Sequence, residues 1–527
     1  MQRIRFGIAI AVMIVILLSV CAIFRFDLLN TNDKHDVAAE FKGMDLHFLI
    51  SGSPSSYLPA SDKDFVRATI ENKFNVTIQL TVMAPDEEYN VAIAKMLAAN
   101  NPPDMWLNIS SDGGAQYILD NVLADLNFYV TPSTMPNYFQ YWIDEKEYRE
   151  YQVHNKFARA PLPYDDKSYR TYYIRKDWLD RLGLAIPQTY DQYVEALRAF
   201  TYQDPDGNGI NDTYGFTTYG NGTSISQEWP EYGKNGLVYP YYFENNTLVD
   251  MQTDPRVGNV VNDIRKVIDE GLVDPDWFLN SGSKHIDKAI QGKVGVILGD
   301  TADFALDSNP DSLQSRAKII NPKADWVPFH PLINQPLQVA VSAGYPFVFS
   351  NNTAGLYPEK LKKTATILDW LASEEGFLLT HYGLEGTHYS RKGNTITLHA
   401  PSLEPNNKNA KPLLDIWSFF TPDRPDVLGL TVIDPLVTER DKGILQMIGK
   451  IPVYESLGTT LTPPLGVDVE EMRAAQNEMQ VKMLFSDKSG HNWPAYREKL
   501  LKEHNGELIL NQYENKIRSA RRYAASN

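Results

Sequence analysis

The sequence predicts an α/β protein made of two bodies, each with a sheet covered by helices. A strand–helix alternation begins near residue 44, and a second alternation begins near residue 169. Such alternation favours sheets of parallel strands with helices packed on their faces. The chain has 527 residues, of which 43% are apolar, so it is long enough to form two to four domains with sizeable cores.

The first alternation contains three strands and two helices. The strands have compact apolar or alternating patterns, and both helices begin at a capping residue. In chain order the predicted elements are a strand at 46–50, a helix with a capping-box-like start at Ser61, three residues before Asp64, a strand at 76–82, a helix capped by Asp86 and a strand within 103–109.

The second alternation begins with the stretch "YRTYYIRKDWLDRLGL" at 169–184. Thr189 then caps a helix that carries apolar residues at helical spacing. Further strands are predicted at 293–298, 337–342 and 346–350. A long helix is predicted at 359–383, ending at Gly383, and the chain is mostly helical from Val469 onward.

The N-terminal segment has the pattern of an export signal. Arg3 and Arg5 precede an apolar run that extends from residue 6 to residue 24. Cys21 ends the stretch "LSVC", which resembles the lipobox of bacterial lipoproteins and predicts lipidation of Cys21. An uncleaved membrane-spanning helix is the alternative. Both interpretations place the rest of the chain at the outer face of a membrane, since the leading arginines favour an inside N-terminus.

Composition excludes some classes of function and leaves one enzyme class open. The net charge of −16 opposes binding to the phosphate backbone of nucleic acid. The chain has none of the HExxH, GxSxG or GxxxxGK[ST] motifs, and Cys21 is its only cysteine. With 66 acidic residues, a glycoside hydrolase that uses paired carboxylates remains possible.

The stretch "DPDGNGINDTYG" at 204–215 has the spacing of a calcium-binding loop. Gly209 stands at the sharp turn, and oxygen ligands at alternate positions suit Ca²⁺ better than Zn²⁺. Gly215 replaces the bidentate Glu of an EF-hand, so the predicted ion is structural and needs a further ligand. The alternative is a solvated turn without metal. The predicted ligands are Asp204, Asp206, Asn208, the carbonyl of Ile210, and Asp212.

Four stretches together carry a resemblance to a known family. They are "MLAANNPPDMW", "YYIRKDWLDRLGLAIPQTYDQYVEALRAFTYQDPDGNGINDTYGF", "ILDWLASEEGFLLTHYGLEGTHYS" and "NGELILNQYENKIRSA". The chain resembles the extracellular solute-binding proteins (family 1) of ABC importers, in particular the large lipoprotein-type carbohydrate-binding members of Gram-positive bacteria. The resemblance covers nearly all of residues 44–520.

The resemblance implies a two-lobed, periplasmic-binding-protein-like fold of type II, with the ligand in a cleft between the lobes. On this basis residues 1–25 are a signal peptide or membrane anchor and residues 26–43 a tether. Residues 44–168 and 345–390 are assigned to the first lobe, and residues 169–344 and 391–527 to the second.

A sugar site needs carboxylates or amides at the edges of the sugar ring and aromatic side chains against its faces. Loops at the predicted carboxyl ends of strands are where such residues are expected. For each aromatic residue the alternative is core packing, and for Asp112 it is helix capping. The predicted ligand-binding residues are Tyr57, Trp106, Asp112, Trp229, Tyr239 and Tyr345.

We therefore expect a monomeric receptor at the extracellular face of the cell membrane. It would capture an oligosaccharide and pass it to the transmembrane subunits of an ABC permease, without chemistry on the substrate. The alternatives are an exported hydrolase or lyase acting on polysaccharides and an adhesion or scaffold protein of the envelope.

Overall fold

The fold is described from a computed structural model, which describes residues 43–52, 63–110, 113–153, 156–165, 167, 169–332, 335–340, 345–399, 411–457, 461 and 463–525. The strands are β1 (Met44–Ser51), β2 (Val76–Met83), β3 (Met105–Leu107), β4 (Thr171–Arg175), β5 (Tyr214–Phe216), β6 (Tyr241–Glu244), β7 (Thr247–Asp250), β8 (Val294–Gly299), β9 (Trp326–Phe329), β10 (Phe347–Phe349), β11 (Tyr389–Lys392), β12 (Thr395–Leu398) and β13 (Thr431–Ile433).

The α-helices of the described residues begin with α1 (Phe65–Phe74), α2 (Glu87–Ala98), α3 (Ala115–Leu119), α4 (Glu145–Glu150), α5 (Lys176–Leu182), α6 (Tyr190–Tyr202), α7 (Pro230–Lys234), α8 (Val257–Asp269) and α9 (Lys284–Ile290). They continue with α10 (Leu313–Ile320), α11 (Asn351–Leu356), α12 (Pro358–Leu371), α13 (Glu374–Tyr382), α14 (Lys411–Trp417), α15 (Glu439–Ile448), α16 (Val469–Phe485), α17 (Trp493–Glu503) and α18 (Gly506–Ala525).

The first lobe is built on a four-stranded sheet in the order β10-β3-β1-β2. β1 pairs parallel to β3, and β10 pairs antiparallel to β3. In β2 the buried residues Val76, Ile78 and Leu80 alternate with exposed Thr77 and Gln79, as expected for a strand with one covered face. The three strands predicted in the first alternation are confirmed.

The first two helices of this lobe begin at carboxylate caps. Asp86 caps α2 as predicted, because its side chain accepts from the backbone N–H of Glu88. The predicted capping-box-like start places Ser61 at the cap and Asp64 three residues later, whereas in the structure Asp64 itself is the cap, because its side chain accepts from the N–H of Arg67. Ser61 lies outside the described residues.

The predicted helix at 359–383 is divided into α12 and α13. The division falls at Ser373, whose side-chain oxygen accepts from the N–H of Gly376 and so caps a new helix start. The end predicted at Gly383 is confirmed, since α13 runs to Tyr382 and Gly383 follows with φ +84°.

The second lobe is built on a four-stranded sheet in the order β5-β8-β4-β9. β5 runs parallel to β8, whereas β4 runs antiparallel to both β8 and β9. The Thr189 cap on α6 is confirmed, and this helix buries a face that includes Phe200 in the core of the lobe. Within the strand predicted at 337–342, Gln338 and Val339 form only isolated bridges, and residues 341 and 342 lie outside the described residues.

The segments beyond β10 extend both lobes. Strands β11 to β13 form a small sheet that packs on α13 and Trp142, and the indole N–H of Trp417 donates to Asp64 at 3.0 Å. The described residues at 389–399 and 411–433, of which 391 onward were assigned to the second lobe, thus contact first-lobe elements. Helices α16 and α17 pack on α8, while α18 contacts both α4 and β7.

The predicted fold class is confirmed: the protein is a mixed α/β, two-lobed molecule. Each main sheet contains a strand that runs antiparallel to its neighbours, β10 in the first lobe and β4 in the second. These are the first strands formed after the chain passes from one main sheet to the other. Within the part of the chain that the structure describes, we find no helix with the length and apolar character needed to cross a bilayer.

Candidate ligand-binding cleft

Two sheet edges carry the candidate site. The first edge, in the first lobe, lies at the ends of β1 and β3 and the start of β10, and it includes Asn108 and Tyr345. The second edge, in the second lobe, lies at the ends of β5, β8 and β9 and the start of β4, and it includes Arg170, Tyr219 and Asp300.

Two crossover segments of the chain connect these two edges. Ala160 forms a bridge with Phe347 at the first edge, and β4 begins at the second edge only eleven residues later. The return segment leaves β9 at Phe329 and enters β10 at Phe347. Ligands of open α/β sheets bind at such carboxyl ends of strands.

Arg170 organises one part of the second edge. Its guanidinium lies 4.4 Å from the centre of the Tyr239 ring, and its Nη2 donates to the carbonyl of Gln227 at 2.7 Å. A cation stacked on an aromatic face holds both side chains in place. The predicted residue Tyr239 is therefore partly buried, fixed in orientation and located at the second edge.

Glu228 is the most unusual titratable group near this edge. Its carboxylate accepts a hydrogen bond from the Thr218 hydroxyl, which also contacts Ser226 at 2.8 Å. Burial raises the pKa of Glu228 to about 7, although the Thr218 hydrogen bond and the charge of Arg170 act in the opposite direction. Perturbed carboxyl groups of this kind are concentrated at functional sites.

Tyr219, His285 and Asp300 complete the second edge. The rings of Tyr219 and His285 lie 5.3 Å apart. Burial, and then the charge of Glu228, raise the pKa of Tyr219, and burial lowers the pKa of His285. Asp300 is exposed at the end of β8. The edge thus combines the partly exposed ring of Tyr219 with the exposed carboxylate of Asp300, whereas Glu228 and His285 are buried beside them.

Trp229 lines the same cavity as Tyr239 but belongs to the core. The cavity has a volume of about 20 Å³, which is room for a single water molecule. Trp229 is 1% exposed, and its ring packs against Phe216 and Trp277. Its faces are covered by protein, so it cannot stack on a ligand in this conformation. Trp229 is therefore a core residue, which is the alternative given above for each predicted aromatic residue.

In the part that the structure describes, the first edge is formed largely by backbone and amide groups. Tyr345 is 46% exposed beside Pro346, whose carbonyl accepts from the N–H of Asn108 at 2.8 Å. Asn108 is buried, and no hydrogen-bond partner for its Nδ2 is found among the described residues. Gly114 has φ +83°, and a Cβ there would lie 3.0 Å from that nitrogen. A side chain at position 114 would therefore crowd Asn108.

The remaining predicted residues of the first lobe do not contribute to an open site in the described structure. Trp106 is 1% exposed in the middle of the sheet, packed with Leu49 and Val348. Like Trp229, it is a core residue because both faces of its strand are covered. Tyr57, Asp112 and the lipidation residue Cys21 lie outside the described residues.

A cavity of about 340 Å³ lies between α3, which follows the first edge, and the segment before α16. Ala115 and Gln116 form one wall, and residues 463–470 form the other. Its volume is within the range of small-molecule sites. Because α16 packs on α8 of the second lobe, this space separates elements of the two lobes.

The polar side chains of the loop at 204–212 are hydrogen-bonded to backbone and side-chain groups of the same loop. Asp204 accepts from the N–H groups of Gly207, Asn208 and Gly209. The amide nitrogen of Asn208 lies 3.0 Å from Asp206 Oδ2 and 3.2 Å from Asp212 Oδ1, so it bridges two carboxylates. The carboxylate and amide groups supply oxygen atoms of the kind that Ca²⁺ prefers.

Electrostatics in this loop are consistent with an acidic site. Burial, followed by the neighbouring Asp204 and Asp212, raises the pKa of Asp206. Lys293 pairs with Asp212 at 2.7 Å and lowers the pKa of that carboxyl. No group of three or more His, Cys, Asp or Glu side chains in metal-binding geometry is found within the described ranges. The loop would thus rely on its Asn and backbone oxygens as well.

Sequence reasoning did not identify Arg170, Tyr219, Glu228 or Asn108 as site residues. Arg170 directly precedes β4, Tyr219 follows β5, and Asn108 follows β3. Their positions next to the ends of strands are the signal by which these three residues could have been identified. Glu228 could not be found in this way, because it reaches the edge only through its contact with Thr218.

Comparison with known proteins identifies related sequences. A family model described as bacterial extracellular solute-binding protein matches residues 54–376. Lipoprotein LipO of Bacillus subtilis is 32% identical over 246 residues, which is 45% of this chain and 46% of that protein. The polygalacturonan/rhamnogalacturonan-binding protein YtcQ of the same organism is 27% identical over 295 residues, covering 51% and 55% of the two chains. The chain therefore spans about half the length of these curated relatives.

Solved structures share the fold over nearly the whole chain. An HMO-binding, ABC-transporter-associated solute-binding protein from Bifidobacterium longum infantis superposes with a TM-score of 0.67. The sequence identity is 18%, and the match covers 90% of this chain and 98% of that protein. At this identity the likeness establishes the architecture alone.

Proposed function

The chain belongs to the family of bacterial extracellular solute-binding proteins, and we propose that it captures an oligosaccharide for ABC-type import without changing it chemically. The observation that carries the proposal is the second edge, where Arg170 and Tyr239 are stacked beside Tyr219 and the polar group around Glu228. Rings offer apolar faces, while the guanidinium and carboxyl groups offer hydrogen bonds, as polar small-molecule sites require.

Two named relatives support a saccharide as the ligand class. YtcQ is named for polygalacturonan and rhamnogalacturonan, and the Bifidobacterium protein is described as HMO binding. A binding role fits the site as well, because Glu228 is hydrogen-bonded by Thr218 and largely covered. Cleavage of a glycosidic bond would require a pair of carboxyl groups that both reach the scissile bond.

We further propose that the receptor is a monomer held at the outer face of the membrane by a lipid on Cys21, where it delivers its ligand to permease subunits. The LSVC stretch and the lipoprotein name of LipO support the anchor. Mass spectrometry of the membrane-extracted protein should show an acylated N-terminus at Cys21. An N-terminus at Met1 with unmodified Cys21 would instead indicate a helical anchor.

The loop at 204–212 is proposed to hold a structural Ca²⁺. Asp204, Asp206, Asn208, the Ile210 carbonyl and Asp212 would ligate it, with Asn208 turning its amide oxygen toward the ion. The ion would neutralise the mutual repulsion of the three carboxylates and fix the turn between α6 and β5. Because the loop leads into β5, it would stabilise the second lobe without contacting the ligand.

Calcium should therefore raise the melting temperature, because it binds the folded state. At a free calcium concentration of 100 times the dissociation constant, this binding adds about 2.7 kcal/mol to the free energy of unfolding. Asp206→Ala should remove most of this gain and leave sugar affinity at ambient temperature nearly unchanged. Asp254→Ala is a control outside the loop that should retain the calcium response. A wild-type protein whose melting temperature is insensitive to calcium would contradict the metal site.

The proposed function is tested with fragments of rhamnogalacturonan and polygalacturonan and with neutral hexose oligosaccharides. Melting temperature and reducing ends are measured in the same samples. A receptor shows stabilisation with at least one probe and no new reducing ends. Release of new reducing ends would establish a hydrolase, unsaturated products would establish a lyase, and the absence of both stabilisation and products would favour a scaffold.

A further inference from the structure

A second cavity, here called the outer cavity, lies at the end of the first sheet opposite to the first edge. Its volume is about 530 Å³. The starts of β1 and β2, the turn before β3 and the segment after β10 line it. Its lining includes Asp45, Gln79, Asn100, Asn101, Asn352 and Tyr357.

The topology separates this cavity from the candidate cleft. β1 runs parallel to β3 while β10 runs antiparallel, so the residues before β1 and β3 and after β10 share one end of the sheet. β1 has eight residues. At about 3.3 Å per residue, the two ends of this strand are roughly 25 Å apart. A ligand in the outer cavity would therefore occupy a site distinct from the first edge.

The buried charges of the outer cavity compensate each other. Asp104 is 4% exposed, and its Oδ2 accepts from the N–H of His47 at 2.9 Å and from Lys360 Nζ at 3.2 Å. A paired and hydrogen-bonded charge of this kind does not call for a charged ligand. The buried part of the cavity wall is thus polar but electrostatically balanced.

The accessible lining has the chemistry of a site for a polyol. Gln79, Asn100, Asn101 and Asn352 have exposed side chains that make no hydrogen bond to other described residues. Each amide offers both donors and acceptors, as paired sugar hydroxyls require. Beside them the side chain of Tyr357 is 54% exposed, and its ring provides an apolar face.

We propose that the outer cavity is a second saccharide-binding site, which holds a neutral sugar segment by these amides and the Tyr357 ring. The ligand class rests on the proposed function, whereas the location rests on the outer cavity itself. Neutral amides in a concave site fit a polyol better than a protein surface, since protein interfaces are enriched in aromatic residues and arginine. The site would hold a long chain to the receptor independently of the cleft.

The experiment is affinity electrophoresis of the full exported chain in native gels that contain a neutral polysaccharide, galactan. Tyr239→Ala together with Arg170→Ala weakens the second edge, and this double variant should remain retarded by the polysaccharide. Adding Tyr357→Ala or Asn101→Ala should weaken the residual binding roughly tenfold, equivalent to about 1.4 kcal/mol. Phe128→Ala, which removes another exposed ring of the first lobe, should have no effect, and unchanged melting temperatures verify folding.

The possible outcomes distinguish the two proposals. The second site alone is overturned if the wild-type protein binds the polysaccharide but adding Tyr357→Ala or Asn101→Ala does not change the migration of the double variant. If those variants bind normally but lower uptake in cells, the outer cavity contacts a protein partner, and the saccharide proposal is overturned. A wild-type protein that neither migrates more slowly nor is stabilised by any of the glycan probes overturns both proposals.

Discussion

The first and second edges present different chemistry to the space between the lobes. The second edge presents side chains: a cation stacked on Tyr239, the Tyr219 ring and the buried acid Glu228. The described part of the first edge presents mainly backbone and amide groups around Asn108, with Tyr345 as its exposed ring. Under the proposed function, this difference between the described parts of the two edges predicts that the second lobe sets ligand specificity and that the first lobe closes over the ligand.

The largest expected effect is on stability. Trp229→Ala removes a core side chain of the second lobe and should lower the free energy of unfolding by about 3–5 kcal/mol. Tyr345→Ala at the exposed first edge should change it by less than about 0.5 kcal/mol. Denaturant unfolding measures both variants. Equal stability of the two would contradict the assignment of Trp229 to the core.

The pH dependence of the free energy of unfolding tests the protonation of Glu228 and Glu231, the buried acids beside Trp229. Burial raises the pKa of both Glu228 and Glu231 from 4.5 to about 7. The folded state therefore binds protons at these two carboxyl groups more tightly than the unfolded state does. This proton binding contributes fully to the free energy of unfolding below pH 4.5, and the contribution is lost as the pH rises through about 7. The free energy of unfolding should fall in this window by an amount on the order of a few kcal/mol.

Each of Glu228→Gln and Glu231→Gln should flatten part of this slope. They form a matched pair, because Glu231 accepts a hydrogen bond from Tyr190 in the core and Glu228 lies near the second edge. Only Glu228→Gln is expected to change ligand affinity as well. A pH profile that keeps its full slope in both variants would show that these carboxyl groups are ionised in the folded protein.

The difference between the two edges predicts effects on ligand affinity that are smaller than the effect of Trp229→Ala on stability. Tyr239→Ala should weaken oligosaccharide binding by about 1–3 kcal/mol, because the ring and its stacked cation are both disturbed. Tyr345→Ala should cost less, since this ring lies on the edge without such a partner. Calorimetric titration measures both. If Tyr345→Ala has the larger effect, the first lobe sets specificity instead.

The sequence predicted the fold well because its signals are local. Caps such as Asp86 and Thr189, and the alternation in β2, are encoded within a few residues. Ser373 was missed because a serine within an apolar helical pattern does not by itself reveal a new helix start. In the strand predicted at 337–342, the described residues Gln338 and Val339 form only isolated bridges, because pairing there depends on partners distant in the chain.

The site was predicted less well because burial and pairing depend on tertiary contacts. Tyr239 and Tyr345 lie at the edges, whereas Trp106 and Trp229 lie in the cores, and all four are aromatic residues near predicted loops or strand ends. Nothing in the sequence shows which rings are covered. The stacking of Arg170 on Tyr239 joins residues that are far apart in the chain, so no local pattern reveals it.

The most direct test of the central claim is small-angle X-ray scattering of the full exported chain with and without an oligosaccharide that raises its melting temperature. If the protein is a receptor whose lobes close on the ligand, the radius of gyration should fall on ligand addition, and chromatography should recover the oligosaccharide unchanged. An unchanged radius of gyration at saturating ligand would contradict closure, and a cleaved oligosaccharide would contradict the receptor assignment.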